Sequence, residues 1–225
     1  MYIGRVSASG PEKLTFTRVT ANQEVAPGIF LLSFPRAFDF IPGQSVWLTV
    51  DREIPPRLYS IASGTAEPQV EILYDLVPEG LLTPRLAGLR AGQALLASSA
   101  FGPFRDEEGP SCWVAAGTGV APFASMVRSG LVREKTLIHG SRTVAGLLHR
   151  GLFADALGER YVPCCSRETA EGVFHGRPTE WLTLQRLPPA SRYLLCGSSR
   201  MVVDSRDIII AKGVPFESVI GEIYF

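Results

Sequence analysis

The chain has 225 residues, 46% of them apolar, enough to bury a core in each of two domains of about a hundred residues. Its 22 basic and 22 acidic side chains cancel, which argues against a nucleic-acid binder. The four cysteines, Cys112, Cys164, Cys165 and Cys196, show no CxxC or Cys/His ligand spacing, so no metal site and no disulfide framework is expected. In chain order, Lys13 to Thr20, Gly28 to Phe34, Ser45 to Val50, Leu58 to Ala62, Val70 to Tyr74 and Ala94 to Ser98 are short runs of β-formers. Turns such as Pro42-Gly43 separate them. Only Leu81 to Leu89 reads as a helix. Six strands at this spacing predict a closed antiparallel β-barrel.

One polar stretch stands out among these strands: Arg57-Leu58-Tyr59-Ser60-Ile61-Ala62-Ser63. Arg, Tyr and Ser here offer a charged fork, a flat stacking surface and a hydroxyl to one extended ligand. Arg and Tyr alternating on a half-exposed strand are also common, so the stretch needs support from the rest of the chain.

After Gly102-Pro103-Phe104 the texture changes. The charged run Arg105-Asp106-Glu107-Glu108-Gly109-Pro110 has no periodicity and marks a domain boundary, with one domain over 1–104 and another over 111–225. Beyond it strands and helices alternate. Strand Cys112 to Ala116 leads to helix Pro122 to Arg128, strand Lys135 to His139, helix Val144 to Leu157 and strand Arg160 to Pro163. A helix around Thr179 to Leu184, strand Tyr193 to Cys196, helix Arg200 to Lys212 and strand Ser218 to Tyr224 follow. This rhythm predicts a doubly wound α/β parallel sheet, which binds ligands beyond the carboxyl ends of its strands.

At the first such end lies Ala116-Gly117-Thr118-Gly119-Val120-Ala121-Pro122. Gly117 and Gly119 allow a tight turn and close approach to a pyrophosphate, and helix amides favour its charge. The third glycine of GxGxxG is absent, and Pro122 suits the first helical turn instead. An ordinary strand-to-helix turn would look the same. The N-terminus, Met1 to Lys13, has no apolar signal core and no apolar run reaches the length of a membrane span, so a cytoplasmic setting is expected.

The order Pro42-Gly43-Gln44, Arg57-x-Tyr59-Ser60, Gly80-x-x-Thr83, Gly117 to Pro122, Cys196-Gly197 and Glu222-Ile223-Tyr224 resembles the ferredoxin:NADP reductase family over nearly the whole chain. Pro78 to Leu86 and Ser166-Arg167-Glu168-Thr169-Ala170 resemble its bacterial single-chain branch. The resemblance implies an FAD-binding barrel and an NADP(H)-binding α/β domain, with the nucleotides meeting between them.

Carried over, Arg57 pairs with the FAD pyrophosphate, Tyr59 stacks on the flavin, and the Ser60 hydroxyl lies near flavin N5. Gly80, Leu82 and Thr83 open the helix that receives the same pyrophosphate, although Thr83 read alone is also a simple helix cap. Cys196 and Glu222 join Ser60 around the reacting ring, where a buried cysteine at a strand end is otherwise plain packing. Tyr224 covers the flavin face, and Phe225 packs on the adenine. Gly117, Thr118 and Gly119 serve NADP(H), and Arg142, Arg167 and Arg177 match the site of its 2′-phosphate. The expected activity is hydride exchange with NADP(H) and single-electron transfer with ferredoxin or flavodoxin, by a monomer with no membrane span. An oxygenase reductase component and a non-catalytic electron-relay subunit are the alternatives.

Overall fold

The structure is a computed structural model that describes residues 13–188 and 191–224. Seven strands fill the first half: β1 (Thr15–Arg18), β2 (Ala21–Ala26), β3 (Ile29–Pro35), β4 (Ser45–Thr49), β5 (Arg57–Ser60), β6 (Gln69–Asp75) and β7 (Ala94–Ala97). They form two antiparallel sheets, ordered β1-β7-β4-β5 and β2-β3-β6. A bridge between Ile61 and Ile72 joins the sheets along one side. On the other, the Thr20 amide donates to the Ser33 carbonyl at 2.8 Å. The inward residues Leu32, Phe34, Val46, Leu48, Ile61 and Ile72 are buried in one core, which gives the expected barrel its driving force.

Strand β2 is absent from the sequence reading. Its segment, Ala-Asn-Gln-Glu-Val-Ala, buries only Ala26, and it is held by its ladder to β3, with a bulge between Glu24 and Ala26. An edge strand with so little apolar alternation carries almost no periodic signal. The barrel helix α1 (Thr83–Ala87) is also shorter than expected.

The second half builds a six-stranded parallel sheet. Its elements are β8 (Ser111–Ala116), α2 (Ala121–Arg128), β9 (Lys135–Ser141), α3 (Arg150–Leu157) and β10 (Tyr161–Cys165), then β11 (Phe174–His175), α4 (Pro178–Leu184), β12 (Arg192–Ser198), α5 (Ser199–Ala211) and β13 (Val219–Tyr224). The strand order is β11-β10-β9-β8-β12-β13, with every neighbouring pair parallel. The chain runs outward from β8 to β11 and then returns to start β12 on the other side of β8. That reversal opens a crevice at the carboxyl ends of β8 and β12. Helix α3 starts six residues later than the expected Val144, because residues 144–149 form turns that end in left-handed His149, φ 55°.

The run 105–110 between the two sheets is anchored rather than loose. The Asp106 side chain is 1% exposed and accepts from Trp113 Nε1 at 2.7 Å and from the Ser111 hydroxyl. Lys135, equally buried, brings its Nζ to 3.0 Å from Asp106 and donates to the Gly109 carbonyl at 2.8 Å. A buried charge pair of this kind holds only because its remaining donors are also satisfied.

Two further contacts tie the barrel to the parallel sheet. At the end of α2, Arg128 forks onto Glu67, bonds Glu71 Oε2 at 2.5 Å and reaches the Ala62 carbonyl at 3.3 Å. Thr118, in the turn after β8, donates its hydroxyl to Asp75 Oδ2 at 2.7 Å. The crevice is thereby held against the barrel ends of β5 and β6.

Candidate active site

Strand pairing brings the pieces of the site together in two steps. In the barrel, antiparallel register sets Ser45 directly opposite Ser60. In the parallel sheet, Cys196 is in register with Glu222 and Ser198 with Tyr224. Because strand side chains alternate faces, Glu222 and Tyr224, two residues apart, project to the same side of β13.

These two groups meet. The Tyr224 hydroxyl donates to Ser60 Oγ at 2.7 Å, and Ser60 donates to Glu222 Oε1 at 3.0 Å. Ser45 donates to the same oxygen at 3.3 Å and lies 3.2 Å from Ser60 Oγ. Cys196 is fully buried beside Glu222 and Tyr224. Thus Ser60, Cys196, Glu222 and Tyr224, drawn from both halves of the sequence, share one small volume. Phe225 lies outside the described residues.

Burial sets the protonation states. Burial, partly offset by the Ser60 and Ser45 hydroxyls, leaves the Glu222 carboxyl raised to about 7. Burial also raises the Cys196 thiol well above its ordinary range, and the neighbouring Glu222 charge raises it further. The Tyr224 phenol is raised by burial in the same way. Near neutral pH the thiol and the phenol are uncharged and Glu222 is poised between its two forms.

On the barrel side, Tyr59 packs edge-on against Tyr74, with ring centroids 6.3 Å apart, and Tyr74 stacks on Phe30. Burial raises the Tyr59 phenol, so the ring is a neutral flat surface. Arg57 opens β5, exposed, and pairs with no carboxylate among the described residues. Helix α1 has Leu82 at its N-cap, so Thr83 is not the cap residue. Its hydroxyl instead receives the Val77 amide at 2.9 Å and donates to the Val77 carbonyl at 3.2 Å, closing the loop through Gly80. Leu82 is buried in the barrel core.

On the sheet side, Gly117 turns the chain with φ +58° and leads into a 3-10 turn over Gly117–Val120. Gly119 is required by packing: a Cβ there would come within 2.4 Å of the Cys196 carbonyl oxygen. The turn therefore lies directly on the strand that carries Cys196. Arg142, Arg167 and Arg177 follow β9, β10 and β11, three adjacent strands. The Arg167 amide donates to the Arg142 carbonyl at 3.0 Å, and the Gly176 amide to the Cys165 carbonyl at 2.8 Å. All three residues are exposed, each after the carboxyl end of its strand.

Sequence reasoning missed Ser45 and Asp75. A serine at the start of a strand run carries no chemical signal of its own, and its place in the site follows from a partner far along the chain. A group of three or more metal-binding side chains is absent among the described residues, and none of their helices is long and apolar enough to cross a membrane.

No protein-family model matches the chain. A flavodoxin/ferredoxin–NADP reductase of Shigella flexneri is 32% identical, covering 84% of this chain and 87% of that protein. The reductase subunit of an aromatic O-demethylase of Amycolatopsis is also 32% identical, over 76% of this chain and 57% of that protein. Among solved structures, a ferredoxin NADP+ reductase from Neisseria gonorrhoeae with bound FAD and NADP superposes with a TM-score of 0.83 at 22% identity, covering 95% of this chain and 99% of that one, which shows a shared fold. A barrel packed on a parallel sheet, a serine and a carboxylate meeting across them, and a one-third-identical relative matched along most of both lengths all agree: this chain belongs to the flavodoxin/ferredoxin–NADP reductase family.

Proposed function

We propose that the protein is an FAD-dependent oxidoreductase that exchanges a hydride with NADP(H) and passes single electrons to or from ferredoxin or flavodoxin. The observation that carries this reading is the junction of Ser45 and Ser60 with Glu222 and Tyr224, at 2.7 to 3.3 Å, where the barrel meets the crevice of the parallel sheet. Residues 1–104 hold FAD and residues 111–225 hold NADP(H). Bound FAD supplies the exchange between two-electron and one-electron chemistry. The chain supplies placement, charge and protons.

Each part suits its share of the ligands. Arg57 offers an unpaired guanidinium fork for a pyrophosphate, and the start of α1 at Leu82 and Thr83 offers helix N-terminal amides to the same group. Tyr59 offers a flat face for a ring system. The Gly117–Val120 turn receives the second pyrophosphate at the start of α2, and Arg142, Arg167 and Arg177 supply positive charge for a 2′-phosphate. Ser60 and Glu222 orient and carry a proton at the reacting edge, and uncharged Cys196 packs beside them. Positioning of this kind can remove several kcal/mol of a barrier.

The protein is expected to purify yellow, with one FAD per chain. Arg57→Ala should lose flavin on dialysis, because a charge-assisted fork to phosphate contributes about 1.5 to 3 kcal/mol. Full flavin retention by that variant would remove Arg57 from the site, and recovery of FMN would remove FAD from the function. Anaerobic titration with NADPH, followed by addition of ferredoxin or flavodoxin, tests the whole reaction. The reductase subunit relative favours a second reading, delivery of electrons to an oxygenase, and transfer to an oxygenase but to neither carrier would select it.

Tyr224 occupies the hydrogen-bonding reach of Ser60 and so fills space at the reacting edge. If its ring covers the flavin face, nicotinamide must displace an aromatic contact worth about 0.5 to 1.5 kcal/mol beyond its area. Tyr224→Ser is expected to bind nicotinamide more tightly and gain activity with NADH, by up to about tenfold. An unchanged coenzyme preference and an unchanged nicotinamide charge-transfer band would show that Tyr224 is not the cover.

A further inference from the structure

Ser45 opens β4 and is 3% exposed. Its amide donates to the Phe101 carbonyl and its carbonyl accepts from the Phe101 amide, both at 2.9 Å, so its backbone is fixed from both sides. The side chain faces Ser60 across the strand pair and donates to Glu222 Oε1, the same oxygen that takes the Ser60 proton.

A hydroxyl has one proton to give. Ser60 receives the Tyr224 proton and gives its own to Glu222. Whenever Ser60 turns that proton to a different acceptor, Ser45 is the only described side chain still donating to Glu222. The second hydroxyl thus makes Ser60 free to turn. Without Ser45 the buried carboxylate would compete with any ligand for the single Ser60 proton, since an unpartnered buried charge is costly.

We propose that Ser45 is a positioning residue, the hydroxyl that holds the Glu222 carboxylate in place while Ser60 directs its proton to the bound flavin. The assignment rests on the function proposed above for the choice of ligand. It goes beyond that function in giving the work of the site to a barrel residue outside the Arg-x-Tyr-Ser stretch. Cys196 and Tyr224 are the titratable groups facing Glu222 from β12 and β13, and burial keeps both uncharged near neutral pH. The facing residues of β4 and β5, Ser45 and Ser60, are hydroxyls that do not titrate there. Loss of the Ser45 hydrogen bond should therefore reach the Glu222 titration directly.

The test is carbon NMR titration of the full chain labelled in glutamate carboxyl groups, with flavin bound and after its removal, the Glu222 signal being assigned with Glu222→Gln. Ser45→Ala is expected to raise the Glu222 midpoint by about one unit, a tenfold gain in proton affinity. In the holoenzyme, kcat should fall with KM for NADPH unchanged, and the inflection in its pH profile should move upward with the carboxyl. Ser45→Thr, which keeps the hydroxyl, should restore both. A Glu222 midpoint unmoved by Ser45→Ala overturns the proposal, as does equal loss of kcat in the Ala and Thr variants. Failure of the chain to bind FAD would overturn the function instead, while titration of the flavin-free chain would still decide whether Ser45 holds Glu222.

Discussion

Replacing Arg167 and Arg177 together by alanine is expected to lower kcat/KM for NADPH by several hundredfold and to leave that for NADH within about twofold. The two residues follow neighbouring strands at one edge of the sheet, and Arg142 completes the group through its carbonyl bond to the Arg167 amide. Each guanidinium is exposed and without an ion pair among the described residues, so no internal partner has to be given up when a phosphate binds. A charge-assisted contact is worth about 1.5 to 3 kcal/mol, and two of them reach or exceed a hundredfold. Because the site is exposed, the discrimination should shrink as ionic strength rises. NADH has no group to meet these side chains, which is why its kinetics are the control. Equal losses for both coenzymes would show general damage to the sheet and would remove the 2′-phosphate role.

Asp106→Ala should destabilise the protein by about 3 to 5 kcal/mol, the usual cost of leaving one member of a buried ion pair behind. The Lys135 ammonium would remain 1% exposed with only backbone carbonyls for partners, and Trp113 Nε1 and the Ser111 hydroxyl would lose their acceptor. For a chain of this length the melting temperature should drop on the order of 10 °C. Lys135→Met should destabilise less, since the Asp106 carboxylate keeps Trp113 Nε1, the Ser111 hydroxyl and the Arg192 guanidinium at 3.6 Å. The double variant should cost clearly less than the sum of the two, because the residues are in direct contact and each single variant already removes their shared ion pair. Strict additivity in thermal or denaturant unfolding would show that the pair is not coupled. The result matters for function because this network fixes the run 105–110, through which the barrel carrying Ser60 is joined to the sheet carrying Glu222.

The two charged stretches illustrate how differently the sequence speaks in different places. Arg57-Leu58-Tyr59-Ser60 was legible because strand alternation, a turn on each side and three ligand-competent side chains coincide within a few residues. Arg105 to Pro110 read as a charged boundary, and nothing local distinguishes its Asp106, buried against Lys135, from its exposed neighbours. Helix α3 was overextended for a related reason: Val144 to His149 has helical composition, but the chain there turns through a left-handed residue to return to the sheet.

What the sequence by itself determined is local and periodic: the strand runs of the barrel, the strand-and-helix alternation after residue 110, the turn at Gly117 and Gly119, and the motifs that carry the family resemblance. Those features depend on neighbours a few residues apart, where backbone sterics and side-chain period act directly. Tertiary structure alone decided that Ser45 and Glu222, 177 positions apart, share a hydrogen bond. It alone paired the polar edge strand β2 and buried Lys135 on Asp106. Such contacts arise because the barrel and sheet cores pack in one arrangement and desolvate whatever lies where they meet, and a polar side chain trapped there must find its partner in space.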